Sequence, residues 1–325
     1  MKLGISISTF PWPADEIGPE VSRIATAADE AGVDSLWVMD HFFQIRLTGL
    51  PPESPMPEAY ATLAFLGGLT RQIKLGTLVT SVAYRHPGVL VKAVTTLDVM
   101  TGGRAIFGVG AGAPWNIAPA GPGPDMSRAF EAEGLGIPFP SLAERFERLE
   151  ELLQIAHQMW RGDESPYQGR HYQLVRPLNS PNSVQRPHPP ILIGGSGERK
   201  TLRLVARYAD ACNLFDVPGS RFRDDIGHKL DVLREHCARE GRDFAAIEKT
   251  VTSNFDFGED PKAGAAAYLA HLRELAAAGI DHALVSPRQA WDEATFDAVA
   301  AILPEVHAIE PGGADGTIVP GADRP

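Results

Sequence analysis

The sequence predicts an α/β fold of the (β/α)8 TIM-barrel type, and three observations carry that prediction. Short apolar segments alternate with helical stretches almost from end to end, which is the pattern that builds a parallel sheet with helices packed outside it. Eight strands can be counted, each followed by a helix, which favours a closed barrel over an open doubly wound sheet. The length of 325 residues suits one barrel with insertions.

In chain order the strands are expected at Leu3 to Ser8, Ser35 to Asp40, Lys74 to Ser81, Arg104 to Gly110, Pro190 to Gly194, Ala211 to Phe215, Lys249 to Phe255 and His282 to Ser286. Helical patterns fall near 19–31, 57–70, 88–100, 141–160, 199–208, 221–240, 262–278 and 292–303. The opening MKLGISISTFPWP has no apolar core followed by a small-residue cleavage site, so it reads as a strand entering a turn. The fourth helix is the clearest. Leu142, Phe146, Leu149, Leu153, Ala156 and Trp160 recur every three or four residues, and Ser141 with Glu144 fits a capping box at its start.

Two insertions interrupt the alternation. Residues 113–140 are rich in Pro and Gly and follow the fourth strand at the barrel face where loops carry function, so they are expected to form a lid using Pro114, Trp115, Ile117, Met126 and Phe130. Trp115 and Asn116 are expected in the substrate pocket. Residues 161–189 contain a hairpin from Tyr167 to Leu174, turning at Gln168 and Gly169. Residues 1–309 are read as a single catalytic domain, and 310–325 as a mobile tail of low apolar content.

Composition excludes several classes of function. At 44% hydrophobic and 22% charged the chain is ordinary globular protein, and a net charge of −11 lacks the clustered Lys and Arg that nucleic acid requires. No run reaches the length of a membrane helix. Cys212 and Cys237 form no CxxC pair, so free thiols in a reducing cytoplasm are expected. No metal-binding spacing, GxSxG elbow or P-loop occurs. The expected partner is a small-molecule substrate, and a homodimer is compatible with the sequence.

Asp40 and His41 close the second strand, at the rim where barrels keep their active sites, and an imidazole there can move a proton near neutral pH. The bland reading is a loop cap beside a packed ring. Gly110, Ala111 and Gly112 end the fourth strand without matching a dinucleotide fingerprint. Gly194, Gly195, Ser196 and Gly197 end the fifth and open a helix, whose free N–H groups suit a phosphate; a tight strand-to-helix turn is the alternative.

The segments LWVMDHFFQ, RQIKLGTLVTSVAYRHP, LDVMTGGRAIFGVGAG, RFERLEELLQIAHQMWRGDESPYQGRHYQL and RPHPPILIGGSGERKTLRLVARYADACNLF together resemble the luciferase-like monooxygenase superfamily, and most of all its F420-dependent oxidoreductases. The resemblance runs to about residue 305. It implies that Asp40 and His41 face a deazaflavin ring and the substrate, and that Leu78 and Val79 form a bulge with a non-prolyl cis peptide behind the ring. Thr80 and Ser81 follow that bulge, with Thr80 among the cofactor contacts. The same resemblance sets Gly110, Ala111 and Gly112 at the ring edge and gives Gly194 to Gly197 the phosphate.

One position departs from the related sugar-phosphate dehydrogenases, which carry a glutamate directly after the glycine segment where this chain has Ala113. Arg221 and Arg223 do not match those enzymes' phosphate-holding lysines, so glucose 6-phosphate is not the expected substrate. The leading expectation is hydride transfer between coenzyme F420 and a small organic molecule, with His41 as acid or base and Asp40 orienting it or the ring. An FMN-dependent monooxygenase and a non-catalytic flavin- or deazaflavin-binding protein are the alternatives.

Overall fold

A computed structural model describes residues 1–45, 48, 50–112, 129–217, 224–288 and 290–312. The strands β1 (Lys2–Ile7), β2 (Ser35–Val38), β3 (Lys74–Thr77), β4 (Thr80–Ser81), β5 (Ala105–Gly110), β8 (Ile191–Gly194), β9 (Ala211–Asp216), β10 (Glu248–Phe255) and β11 (His282–Pro287) form one sheet. It runs β3-β2-β1-β11-β10-β9-β8-β5-β4 and closes through a further β3–β5 pairing. Every pairing in it is parallel. Because β3 and β4 are two pieces of one staggered strand, the result is the expected eight-stranded barrel.

The break between β3 and β4 is the bulge that the resemblance implied, with a cis peptide at Leu78–Val79. The neighbouring glycines make room for it. A Cβ on Gly108 would lie 1.8 Å from the Thr77 carbonyl oxygen, and one on Gly194 would lie 2.9 Å from a Val79 methyl, so side chains at either position would collide with the bulge. Thr77 Oγ1 ties the bulge to β5 by donating to Gly108 O at 2.9 Å.

The helices are α1 (Ala14–Ala31), α2 (Ala59–Leu69), α3 (Pro87–Met100), α4 (Ala129–Gly134), α5 (Leu142–Trp160), α6 (Thr201–Tyr208), α7 (Ile226–Glu240), α8 (Pro261–Ala277) and α9 (Glu293–His307). α1 starts five residues before its expected position and carries Pro19 inside it, where the ring costs only one hydrogen bond of an early turn. α9 similarly continues through Pro304. On α5 Ser141 Oγ accepts from Glu144 N at 3.3 Å, but the Glu144 carboxylate turns to Arg148, so half of the capping box forms. The expected stripe is buried from Leu149 onward, while Leu142 is exposed.

The hairpin pairs Tyr167 with Leu174 and Gln168 with Gln173, so β6 (Tyr167–Gln168) and β7 (Gln173–Leu174) enclose a turn over 169–172, later than expected. The buried Glu151 carboxylate sets that turn by accepting from the backbone N–H of Arg170, His171 and Tyr172. Gly312, within the stretch expected to be mobile, donates its N–H to Ala276 O at 2.8 Å. Residues 313–325 lie outside the described residues. Among the described residues no helix is long and apolar enough to cross a membrane.

The N-terminal end of the barrel is closed by a buried polar chain. Trp37 Nε1 donates to Ser35 Oγ (2.7 Å), which lies 2.9 Å from His282 Nε2; His282 Nδ1 is 3.3 Å from Glu248 Oε1, and Lys2 Nζ lies 2.8 Å from the same oxygen. Burial alone would push the Glu248 carboxyl up. The hydrogen bond and charge of His282, with those of Lys2, outweigh it and hold the group at about 2 against an ordinary 4.5. A folded-state value below the unfolded one contributes stability that is complete above pH 4.5 and lost as the pH falls toward about 2. Urea unfolding of the wild type is therefore expected to weaken steeply across that window, and Glu248→Gln to flatten the dependence; an unchanged pH slope in the variant would refute the role.

Candidate active site

At the C-terminal end of the barrel, β2 ends just before Asp40 and His41, which the structure separates into different pairs. Asp40 is 1% exposed and is gripped by Arg85, Nη1 to Oδ2 at 2.6 Å and Nη2 to Oδ1 at 3.0 Å. Arg85 also bonds Glu58 and lies over the rings of Tyr60 (4.8 Å) and Phe42 (5.6 Å). Burial alone would make the guanidinium easier to deprotonate, but the hydrogen bonds of Asp40 and Glu58 and the Asp40 charge more than reverse this, so it is fixed in its charged form. Asp40 thus anchors the rim through Arg85, while the carboxylate bonded to His41 belongs to a different partner.

That partner is Glu131, on α4. Its Oε1 lies 2.6 Å from His41 Nδ1 and also accepts from the Tyr84 hydroxyl, while Oε2 accepts from the backbone N–H of Phe42 (2.8 Å) and Phe43 (3.4 Å). Burial would push the Glu131 carboxyl up, yet the His41, Tyr84 and Phe42 hydrogen bonds hold it below its ordinary value. Tyr84 moves the other way, raised by burial and by the Glu131 charge. The sequence offered no signal separating Glu131 from Glu133 two residues on. Arg85 was more accessible to reasoning, because Pro87 marks the start of α3 and so puts Tyr84 and Arg85 on the rim loop.

Leu78 and Val79 are half-exposed between buried neighbours and cap an interior layer of Trp37, Leu192, Ala211 and Leu284. They form the floor of the opening. Thr80 is fully buried and its hydroxyl is engaged by Thr77 (3.0 Å) and Tyr60 (2.9 Å), so its side chain supports the floor from behind. A Cβ on Gly110 would lie 3.1 Å from a Val79 methyl, and Ala111 O accepts from Arg145 Nε at 2.8 Å. Gly112 has φ +77°, which favours glycine.

Across the opening, Gly194 to Gly197 lead through a turn to α6, which begins at Thr201 and has no side-chain cap at Lys200. Gly195 has φ +109° and donates its N–H to Asn213 O. A short glycine loop before an uncapped helix start leaves room and backbone donors for an anion. Ala113, Pro114, Trp115, Asn116, Ile117 and Met126 lie outside the described residues, as do Arg221 and Arg223 and the side chain of Phe130. Among the described residues no group of three or more His, Cys, Asp or Glu side chains could hold a metal ion.

The described residues thus form a parallel (β/α)8 barrel with a bulged third strand, a rim histidine held by a carboxylate and a glycine loop ahead of α6. The chain belongs to the luciferase-like monooxygenase family, whose match covers residues 1–310. It is 29% identical over 269 residues to the F420-dependent glucose-6-phosphate dehydrogenase of Kineococcus radiotolerans, covering 80% of this chain and 69% of that one. It is 30% identical over 266 residues to the protein of the same name from Gordonia bronchialis, covering 81% and 70%. An F420-dependent secondary alcohol dehydrogenase, solved with an F420-acetone adduct, superposes with a TM-score of 0.72 at 17% identity over 94% of this chain and 98% of the other.

Proposed function

We propose that this protein, with residues 1–309 as its catalytic unit, transfers a hydride between coenzyme F420 and a small organic substrate. The single observation that carries the reading is the Leu78–Val79 bulge, on the strand next to the one that leads to His41 and packed against Gly194; the relatives named as F420-dependent favour the deazaflavin over FMN. The fit is one of space and donors. Glycines at 108, 110 and 194 make room for the bulge on which the ring would rest, and the Gly194–Gly197 loop with the start of α6 would receive the phosphate.

When bound, the deazaflavin supplies the hydride chemistry. The chain's own contribution is geometry and a proton. Leu78 and Val79 would back the ring, and Gly110 to Gly112 would border its edge. His41 would hold a proton at Nε2 for, or take one from, the substrate oxygen as it changes between alcohol and carbonyl. The Ala113 departure argues against glucose 6-phosphate itself.

Fluorescence titration of the purified protein with coenzyme F420 and with FMN tests the assignment. F420 is expected to bind at least about tenfold tighter, a preference of about 1.4 kcal/mol. Tighter FMN binding would move the protein to the monooxygenase reading, and tight F420 binding with no reduction or oxidation by any substrate would favour a binding protein.

We also propose a homodimer formed through α2 and α3. A groove of about 710 Å³ runs between these helices on the outer face of the barrel, lined by Ala64, Gly68, Ala93, Met100 and Leu178 and flanked by the exposed Phe65, Leu69 and Val89. Small residues along the groove allow close approach of a second apolar face. Sedimentation should give twice the chain mass, falling to one chain in Met100→Glu; a monomeric wild type would refute it. Cys212 and Cys237 are both free and buried, which fits the cytoplasmic location we propose.

A further inference from the structure

We infer that Glu131 is the positioning residue of the active site: it fixes the proton of the His41 ring on Nδ1 and so makes Nε2 the atom that exchanges a proton with substrate. This rests on the reading of His41 given under Proposed function. Nothing in the sequence marks Glu131, and it stands 90 residues from its partner.

The hydrogen bonds decide which ring nitrogen carries the proton. A carboxylate has only lone pairs to offer, so an imidazole nitrogen 2.6 Å from Glu131 Oε1 must bring the hydrogen. The neutral ring then has its lone pair on Nε2. The carboxylate is itself immobilised, because its remaining acceptor directions are taken by the Tyr84 hydroxyl and the N–H groups of Phe42 and Phe43. His41 is oriented by a group that cannot turn, as a general base needs its third partner to be.

Four donors around one side chain also set a condition that size alone does not. A glutamine at 131 would fill the same space, but with its carbonyl toward the Phe42 and Phe43 N–H groups its NH2 faces His41, which must then accept at Nδ1 and carry its proton on Nε2. Only a carboxylate accepts on both sides and so keeps the proton on Nδ1. The charge and the acceptor pattern are therefore needed together, and they come from α4, in the insertion that follows β5. Docking of α4 onto the rim and the protonation pattern of the catalytic ring are one event.

Nitrogen-15 spectra of the full chain, labelled at its 10 histidines, read the tautomer directly and need neither cofactor nor substrate. His41→Ala identifies the His41 signals. In the wild type the neutral His41 ring is expected to show a protonated Nδ1 and an unprotonated Nε2. Glu131→Gln and Glu131→Leu should both shift it toward the Nε2–H form, with kcat lower by about 10²-fold and a smaller change in KM. Tyr84→Phe leaves the His41–Glu131 bond in place and should keep the wild-type tautomer. An unchanged His41 tautomer in both Glu131 variants would overturn the inference. Full activity of His41→Ala would instead overturn the role of His41 in the reaction, an outcome distinguishable because the tautomer spectra do not depend on turnover.

Discussion

His41→Ala is expected to lower kcat by about 10²- to 10⁴-fold, the usual contribution of a general acid or base, while cofactor affinity changes by less than about tenfold, under 1.4 kcal/mol. The asymmetry follows from position. The floor at Leu78–Val79 and the loop from Gly194 to Gly197 would carry most of the cofactor's contact area, and neither depends on the His41 side chain. His41 is instead a largely buried group at the end of the barrel, 12% exposed and held by Glu131. Steady-state rates with any accepted substrate, together with F420 titration of the same preparation, check both halves. A variant with full kcat would show that another group moves the proton. His157 and His171 are poor replacements: His157 bonds Tyr208 O on the outer helices, and His171 bonds Glu147 beside the hairpin.

Much of the fold was legible because it is periodic. All eight barrel strands and their helices were visible as alternating apolar segments, and the glycines at 108, 110 and 194 stood out because backbone packs against the bulge where they occur. The misplaced boundaries have local causes. α1 begins ahead of the expected 19–31 pattern and absorbs Pro19; the turn of the hairpin depends on Glu151, a residue on another element that no local pattern reveals. At the site, chain position alone set Asp40 and His41 on the rim, but their partners come from distant segments, Arg85 and Glu131. Adjacent residues suggested a joint role. Beyond the end of β2 the two side chains find separate partners, Asp40 in Arg85 and His41 in Glu131.

Arg85→Leu is expected to be the most destabilising of the substitutions considered, at about 3–5 kcal/mol, the range for leaving a buried charge without its partner. The Asp40 side chain has no solvent exposure, and both its oxygens are matched by one guanidinium. Leucine would keep part of the packing between Tyr60 and Phe42 but strand the carboxylate. Arg85→Lys should fall between, because a single ammonium cannot reproduce the two parallel bonds or the stacking. Removing the carboxylate as well, in Asp40→Leu with Arg85→Leu, should recover most of the loss, since two apolar groups leave no unpaired charge. Glu58 is 41% exposed and loses less, because water can replace the guanidinium there. Urea unfolding at pH 7 with unchanged m-values measures the wild type, Arg85→Leu, Asp40→Leu, Arg85→Lys and the double variant. If the single losses simply add in the double variant, the pair is not coupled, and the rim is held together by packing around Tyr60 rather than by the buried ion pair.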